Sequence, residues 1–156
     1  MVIDESKFRT AMGHFASGVT VVTTRAGDDL AGLTVSAFCS LSLDPPLVLV
    51  CIDRDVSSHD AISSSGRFAV NILTTEQEEL SRRFASRVDD KFEGIGMTEG
   101  AGGVPLITGS LANIECRVRD ELPGGDHTIF VGEVDKVEIG EGEPLLYFRS
   151  GYREIQ

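Results

Sequence analysis

The sequence predicts a mainly β protein, an antiparallel barrel with short helices on its flanks. Six or more β-branched or alternating apolar segments, separated by Gly, Pro and Asp turn signals, are spread through 156 residues, as in all-β barrels. Only two or three short stretches carry helical periodicity. There is no strand–helix–strand alternation and no GxGxxG, which argues against a doubly wound dinucleotide-binding domain.

The elements follow in chain order. Residues 4–16 read as a helix, with Asp4 as N-cap and Phe8, Met12 and Phe15 on one stripe; Gly18 closes it. Val19 to Thr24 is β-branched throughout and reads as a strand, and Gly27-Asp28-Asp29 turns it into the next. The segment Gly32 to Asp53, GLTVSAFCSLSLDPPLVLVCID, is the most informative in the chain. Thr34, Ser36, Ser40 and Ser42 fall at alternating positions, which places four hydroxyls on one face of a strand. Such a face, with donors and acceptors but no charge, suits a polar planar ligand; an edge strand that meets only water is the plainer reading. Asp44-Pro45-Pro46 forms a rigid corner. Leu47 to Ile52 is apolar without a break, as for a strand buried on both faces or at a subunit interface.

Ser57 to Gly66 reads as a short helix capped by Ser57 or Ser58 and ended by Gly66, and Phe68 to Leu73 as a strand. Thr75-x-x-Glu78 is a capping-box signature for a helix carrying Leu80 and Phe84. Continued, that helix aligns Arg83, Arg87 and Lys91 on one face, either a cationic site or a solvated one. Five glycines between Gly94 and Gly103 indicate a mobile loop. Leu111 to Arg119 alternates, with Ile114, Cys116 and Val118 opposite Glu115, Arg117 and Arg119. Pro123 to Asp126 turns the chain into His127–Ile139, and Glu141 to Pro144 turns it into Leu145–Phe148.

Composition bounds the function. Residues 1–156 read as one domain, long enough to bury about two-thirds of its unfolded surface. No apolar run approaches the roughly 18 residues of a membrane span, and the polar, acidic start does not read as a secretory signal. A cytoplasmic protein is expected. The three cysteines, Cys39, Cys51 and Cys116, form no CxxC and lie far in sequence from the three histidines; they read as small core residues, and no metal is expected. A net charge of −11 argues against nucleic acid. Any anionic ligand therefore needs a local cationic site.

Four stretches, FRTAMGHFASGVTVVTT, LTVSAFCSLSLDPPLVLVCID, GDHTIFVGEV and LLYFRSGYR, occur in an order that resembles the short-chain flavin reductases serving two-component flavin-dependent monooxygenases. The resemblance spans nearly the whole chain and implies an FMN-binding split β-barrel of Greek-key form. It also implies a homodimer, FMN or FAD as flavin, NADH or NADPH as hydride donor, and a partner monooxygenase that receives reduced flavin.

By this resemblance Thr34, Val35, Ser36 and Ala37 line the isoalloxazine edge and Ser40 adds a further contact. Cys51, Ile52 and Asp53 lead to Ser57 and Ser58, which resemble the phosphate-binding segment, while Arg87, Lys91 and Phe92 close over the flavin tail. His127 and Tyr152 match residues on the nicotinamide side. His59 and Ser150 depart from the pattern, standing where a small hydroxyl residue and a glycine are frequent. No catalytic acid, base or nucleophile is expected, because hydride passes between the two cofactors. No GxSxG elbow is present. A non-catalytic flavin- or haem-binding module on the same barrel, or an oxidase like the pyridoxamine-phosphate oxidases, are the alternatives.

Overall fold

A computed structural model describes residues 2–156. It holds three α-helices, α1 (Glu5–Gly13), α2 (Ser57–Ser65) and α3 (Glu78–Phe84), and twelve strands. The strands are β1 (Ser17–Gly18), β2 (Thr20–Ala26), β3 (Asp29–Val35), β4 (Phe38–Leu43), β5 (Pro46–Asp53), β6 (Arg67–Ile72), β7 (Met97–Glu99), β8 (Pro105–Ile107), β9 (Ala112–Gly124), β10 (His127–Ile139), β11 (Leu146–Phe148) and β12 (Gly151–Arg153). Seven form the main antiparallel sheet in the order β3-β2-β6-β9-β10-β5-β4. Its two edge strands, β3 and β4, are consecutive in the chain and joined only by Ser36 and Ala37. The sheet therefore curls until its edges meet at that dipeptide, which is the split of the barrel. The mainly β, antiparallel expectation holds.

Side-chain alternation builds the interior. Val48, Val50 and Ile52 of β5 point inward with Val22, Val35, Phe68, Val70 and Phe130, and Ile62 of α2 joins them. Burying a residue of this size is worth about 1.5–3 kcal/mol each. β2 is buried on both faces: its outer side and the residue before it give Val21 and Val19 to a second cluster with Leu73, Phe84, Phe92 and Ile107. Gly132 is required by closeness, since a Cβ there would lie 2.5 Å from the Phe68 ring and 2.8 Å from Cys116.

Several local expectations are corrected. The first helix stops at Gly13, and no residue in it is buried; Asp4 does cap it, accepting from the Ser6 amide at 2.9 Å. Leu47 to Ile52 is not buried on both faces but alternates, leaving Leu47, Leu49 and Cys51 half-buried on the outside. Val56, not Ser57 or Ser58, is the α2 N-cap, with no side-chain hydrogen bond; Gly66 ends the helix at φ 69°. The capping box lies one residue earlier than expected, between Thr74 and Gln77, and the Gln77 side chain accepts the Thr74 amide at 3.0 Å. The glycine-rich segment holds β7, which pairs with β8, so it is not a structureless loop. Glu115 is buried, because its carboxylate accepts the Ala101 amide at 2.8 Å beneath that segment. Cys39 is exposed on edge strand β4 and Cys51 half-buried, so only Cys116 is a core cysteine.

Candidate functional site

The hydroxyl face is not one strand face. β3 ends at Val35, Ser36 and Ala37 lie between strands, and a register shift between Ser40 and Ser42 interrupts β4. Side-chain alternation does not carry through the segment, because a break and a bulge each reset which way side chains point. The result is more specific than a hydroxyl row. Val35 turns its side chain into the core, while Ser36 and Ala37 stand exposed at the split. Among the described residues, neither the Ser36 nor the Ala37 amide has a partner within the chain. Their carbonyls are used, accepting from Phe38 at 2.9 Å and Cys51 at 3.0 Å. Two free N–H donors thus sit where the barrel opens. Ser40 is exposed as the third residue of β4.

Beside this edge is a cavity of about 200 Å³ whose walls include Thr34, Ser36, Ser81, Tyr147 and Tyr152. Tyr152 is fixed there by three contacts. Its hydroxyl lies 2.7 Å from Ser81 Oγ, the Arg82 guanidinium sits 4.7 Å from its ring, and Tyr147 meets it edge-on at 5.4 Å. Thr34 donates its hydroxyl proton to the Ser81 carbonyl.

A second cavity, about 340 Å³, lies at the other end of β3 and is lined by Gly32, Ser57, Ser58, Lys91 and Phe92 among others. Ser57 and Ser58 form the first turn of α2, where amides free of helix bonds and the positive dipole end face outward. The Ser58 hydroxyl is already committed to the Gly32 carbonyl at 3.2 Å. The Lys91 ammonium donates to the carbonyls of Gly32 at 3.4 Å and Phe84 at 3.2 Å. Burial pushes the Lys91 pKa down. Gly32 allows this convergence, since a Cβ would lie 2.9 Å from the Phe84 ring and 3.1 Å from that of Phe92. Phe92 itself is a core residue, edge-on to Phe84 at 5.0 Å. Four aspartates, Asp28, Asp29, Asp89 and Asp90, stand on the rim.

The expected cationic helix face does not form. α3 ends at Phe84, and Arg83 folds back to donate to the Glu93 carbonyl at 2.8 Å. Arg87 and Lys91 lie beyond the helix, Arg87 exposed and Lys91 half-buried.

His127 opens β10 opposite Asp53 and lines neither cavity within one chain. Its Nδ1 lies 2.7 Å from the Asp126 carboxylate, and this hydrogen bond, then the imidazole charge, holds the Asp126 carboxyl below its usual range. An Asp on Nδ1 requires the proton there and leaves Nε2 for another partner. Cys51 and Asp53 sit on the outward face of β5, and Ile52 points into the core. Ser81, Gly32 and Arg82 were invisible to sequence reasoning. Ser81 reads as one more polar residue of a short helix, and nothing in its spacing shows that Thr34 and Tyr152 converge on it.

This fold and this open edge define the class of the flavin-reductase barrels. The chain belongs to the family described as "Flavin reductase like domain", whose model matches residues 12–156. It is 44% identical over 155 residues to a protein of Rhodococcus jostii described as the flavin-dependent monooxygenase reductase subunit HsaB, covering 99% of this chain and 80% of that one. It is also 44% identical over 149 residues to the 4-hydroxyphenylacetate 3-monooxygenase reductase component of Thermus thermophilus, covering 95% of each. The structure of the Streptomyces globisporus NADH:FAD oxidoreductase SgcE6, in complex with NAD and FAD fragments, superposes with a TM-score of 0.94 at 36% identity, covering 100% of this chain and 97% of the other.

Proposed function

We propose that this protein is an NADH-dependent flavin reductase that passes reduced FMN or FAD to a separate monooxygenase. The observation that carries the reading is the pair of unpartnered Ser36 and Ala37 amides at the split of the barrel, with a cavity at each end of β3. Donors preorganised in this way stabilise an electron-rich ring edge. The flavin supplies the redox chemistry when bound, accepting hydride from the dihydronicotinamide. The chain's own residues bind and orient. Thr34, Val35, Ser36 and Ala37 hold the ring edge, Val35 through its main chain only, and Ser40 extends that wall. Ser57 and Ser58 offer the α2 amides to phosphate next to Lys91, Arg87 adds an exposed cation from the segment that leads to Lys91, and Phe92 backs Lys91. Cys51, Ile52 and Asp53 bring the chain into that segment. On the donor side Tyr152 gives a fixed aromatic wall and His127 an available Nε2.

The relatives named as reductase components of monooxygenases support an oxygenase partner, and the neighbour solved with NAD and FAD fragments supports NADH with a flavin. Residues 1–156 act as one domain, the working form is a homodimer, and the NADH pool places the reaction in the cytoplasm. No helix of the described residues is long and apolar enough to cross a membrane.

Steady-state oxidation of NADH and NADPH, each crossed with FMN, FAD and riboflavin, tests the reading. Flavin-dependent NADH consumption is the expected result. Flavin binding without turnover would make the protein a carrier, and peroxide release driven by an amine would make it an oxidase.

A further inference from the structure

Ser81 has no exposed surface and lies on α3, which with its C-cap Ala85 lines the Tyr152 cavity, while Arg82 sits over the Tyr152 ring. Ser81 itself touches both walls. Its side chain meets the Tyr152 hydroxyl at 2.7 Å, and its main-chain carbonyl takes the Thr34 hydroxyl proton. Thr34 belongs to edge strand β3 and Tyr152 to the three-residue strand β12, which among the described residues pairs only with β11. β12 lies in a separate sheet from β3, so no ladder fixes the distance between the two walls.

We propose that Ser81 is a positioning residue that sets this distance, holding the Tyr152 ring at the donor side while orienting Thr34 toward the flavin edge. The inference rests on the flavin-reductase reading above. It has two chemical consequences. With its proton committed to Ser81, Thr34 presents only acceptor lone pairs to a ligand. With its hydroxyl paired, the Tyr152 ring loses its freedom to swing out from β12, and a preorganised aromatic wall binds a planar donor without the cost of ordering it.

Ser81→Ala and Tyr152→Phe remove the same hydrogen bond from opposite ends, so the pair and the double variant form a test. Because a neutral hydrogen bond contributes about 0.5–1.5 kcal/mol, each single change is expected to raise the KM for NADH roughly 2- to 10-fold. The double variant is expected to be no worse than either single one, since the shared bond can be lost only once. The Kd for FMN, followed by fluorescence quenching, should stay within about twofold, the change expected for a site that keeps its own donors. Multiplying effects in the double variant, or wild-type NADH kinetics with only a lowered melting temperature, would overturn the proposal and reduce Ser81 to a structural residue.

A second readout needs no turnover. The chain has no tryptophan and two tyrosines, so its near-ultraviolet tyrosine dichroism reports chiefly on the Tyr147–Tyr152 pair. Ser81→Ala should weaken that signal while the far-ultraviolet spectrum is kept; an unchanged tyrosine signal would also overturn the proposal. If the wild type consumed no NADH but the signal still fell in Ser81→Ala, the functional reading would fail and the placement of Tyr152 by Ser81 would stand.

Discussion

At the scale of single residues, His127 and Cys116 show how environment decides what a side chain does. With Asp126 on Nδ1, His127 Nε2 has no partner among the described residues, and His127→Ala is expected to lower kcat/KM for NADH roughly 3- to 100-fold, from one lost neutral or charge-assisted hydrogen bond. Flavin affinity should stay nearly constant; stopped-flow hydride transfer and fluorescence quenching separate the two, and wild-type NADH kinetics would remove His127 from the site. Cys116 is buried between β6 and β10, and burial first, then Asp135 and Glu115, pushes its thiol up to about 12. The folded state therefore keeps a proton that the unfolded chain gives up near its ordinary 9.0. This contribution to stability is intact below pH 9 and declines as pH rises toward 12. Urea midpoints should fall more steeply between about pH 8.5 and 10.5 in the wild type than in Cys116→Ala, which has no such proton to lose. Parallel slopes would contradict this. The sequence showed that His127 followed a tight turn and that Cys116 belonged to an apolar stripe. It could not show the Asp126 pairing or the buried carboxylate at Glu115, because both depend on a partner's rotamer or on a segment far away in the chain.

At the scale of elements, periodicity was a good guide where strands were long and a poor one where a short-range break intervened. β2, β5, β9 and β10 were legible because their β-branched or alternating runs outlast local noise. β7, β8 and β12 were not, being three residues each. The aligned cationic face was lost because α3 stops at Phe84, and this changes what each cation does. Lys91 is half spent on the carbonyls of Gly32 and Phe84, whereas Arg87 is exposed with no hydrogen-bond partner among the described residues. Arg87→Glu should weaken flavin binding at low ionic strength and leave the fold intact, and the loss should shrink with added salt, as screening acts within about 10 Å at 0.1 M. Equal affinity at low salt would place Arg87 outside the site. Gly32→Ala makes the opposite pattern. Its Cβ would press on the Phe84 and Phe92 rings, so a cost of about 1–3 kcal/mol from overpacking is expected in urea unfolding, together with weaker flavin binding through the displaced Ser58 and Lys91. A fully stable Gly32→Ala would show that α3 can shift without consequence.

At the scale of the whole molecule, the single chain leaves too much apolar surface uncovered. Phe8, Met12 and Phe15 of the α1 region are 50%, 56% and 81% exposed, and Leu41 and Leu43 of β4 are 49% and 93% exposed. On the outer face of β5, Leu47 and Leu49 add half-buried side chains, with Cys39 and Val131 as the cross-strand neighbours of Leu49. Scattered apolar residues on a surface need no explanation, but a continuous strand face and an entire helix without one buried residue do. A second copy of the chain covers them in the proposed homodimer, where interfaces are more apolar than ordinary surface. In the uninterrupted Leu47–Ile52 run the inward half serves the core, and the half-buried outward half is the face the proposed second copy would cover. Light scattering at micromolar concentration should give twice the chain mass. Leu49→Arg puts a charge in the middle of the outer face while leaving Val48 and Val50 in the core, so it should shift the protein toward monomer with its β-rich circular dichroism unchanged. Flavin-dependent NADH oxidation should then fall as the enzyme is diluted, recovering at high protein concentration. A wild type that scatters as a monomer with full activity would remove the dimer, and a dimeric Leu49→Arg would move the interface from β5 to α1.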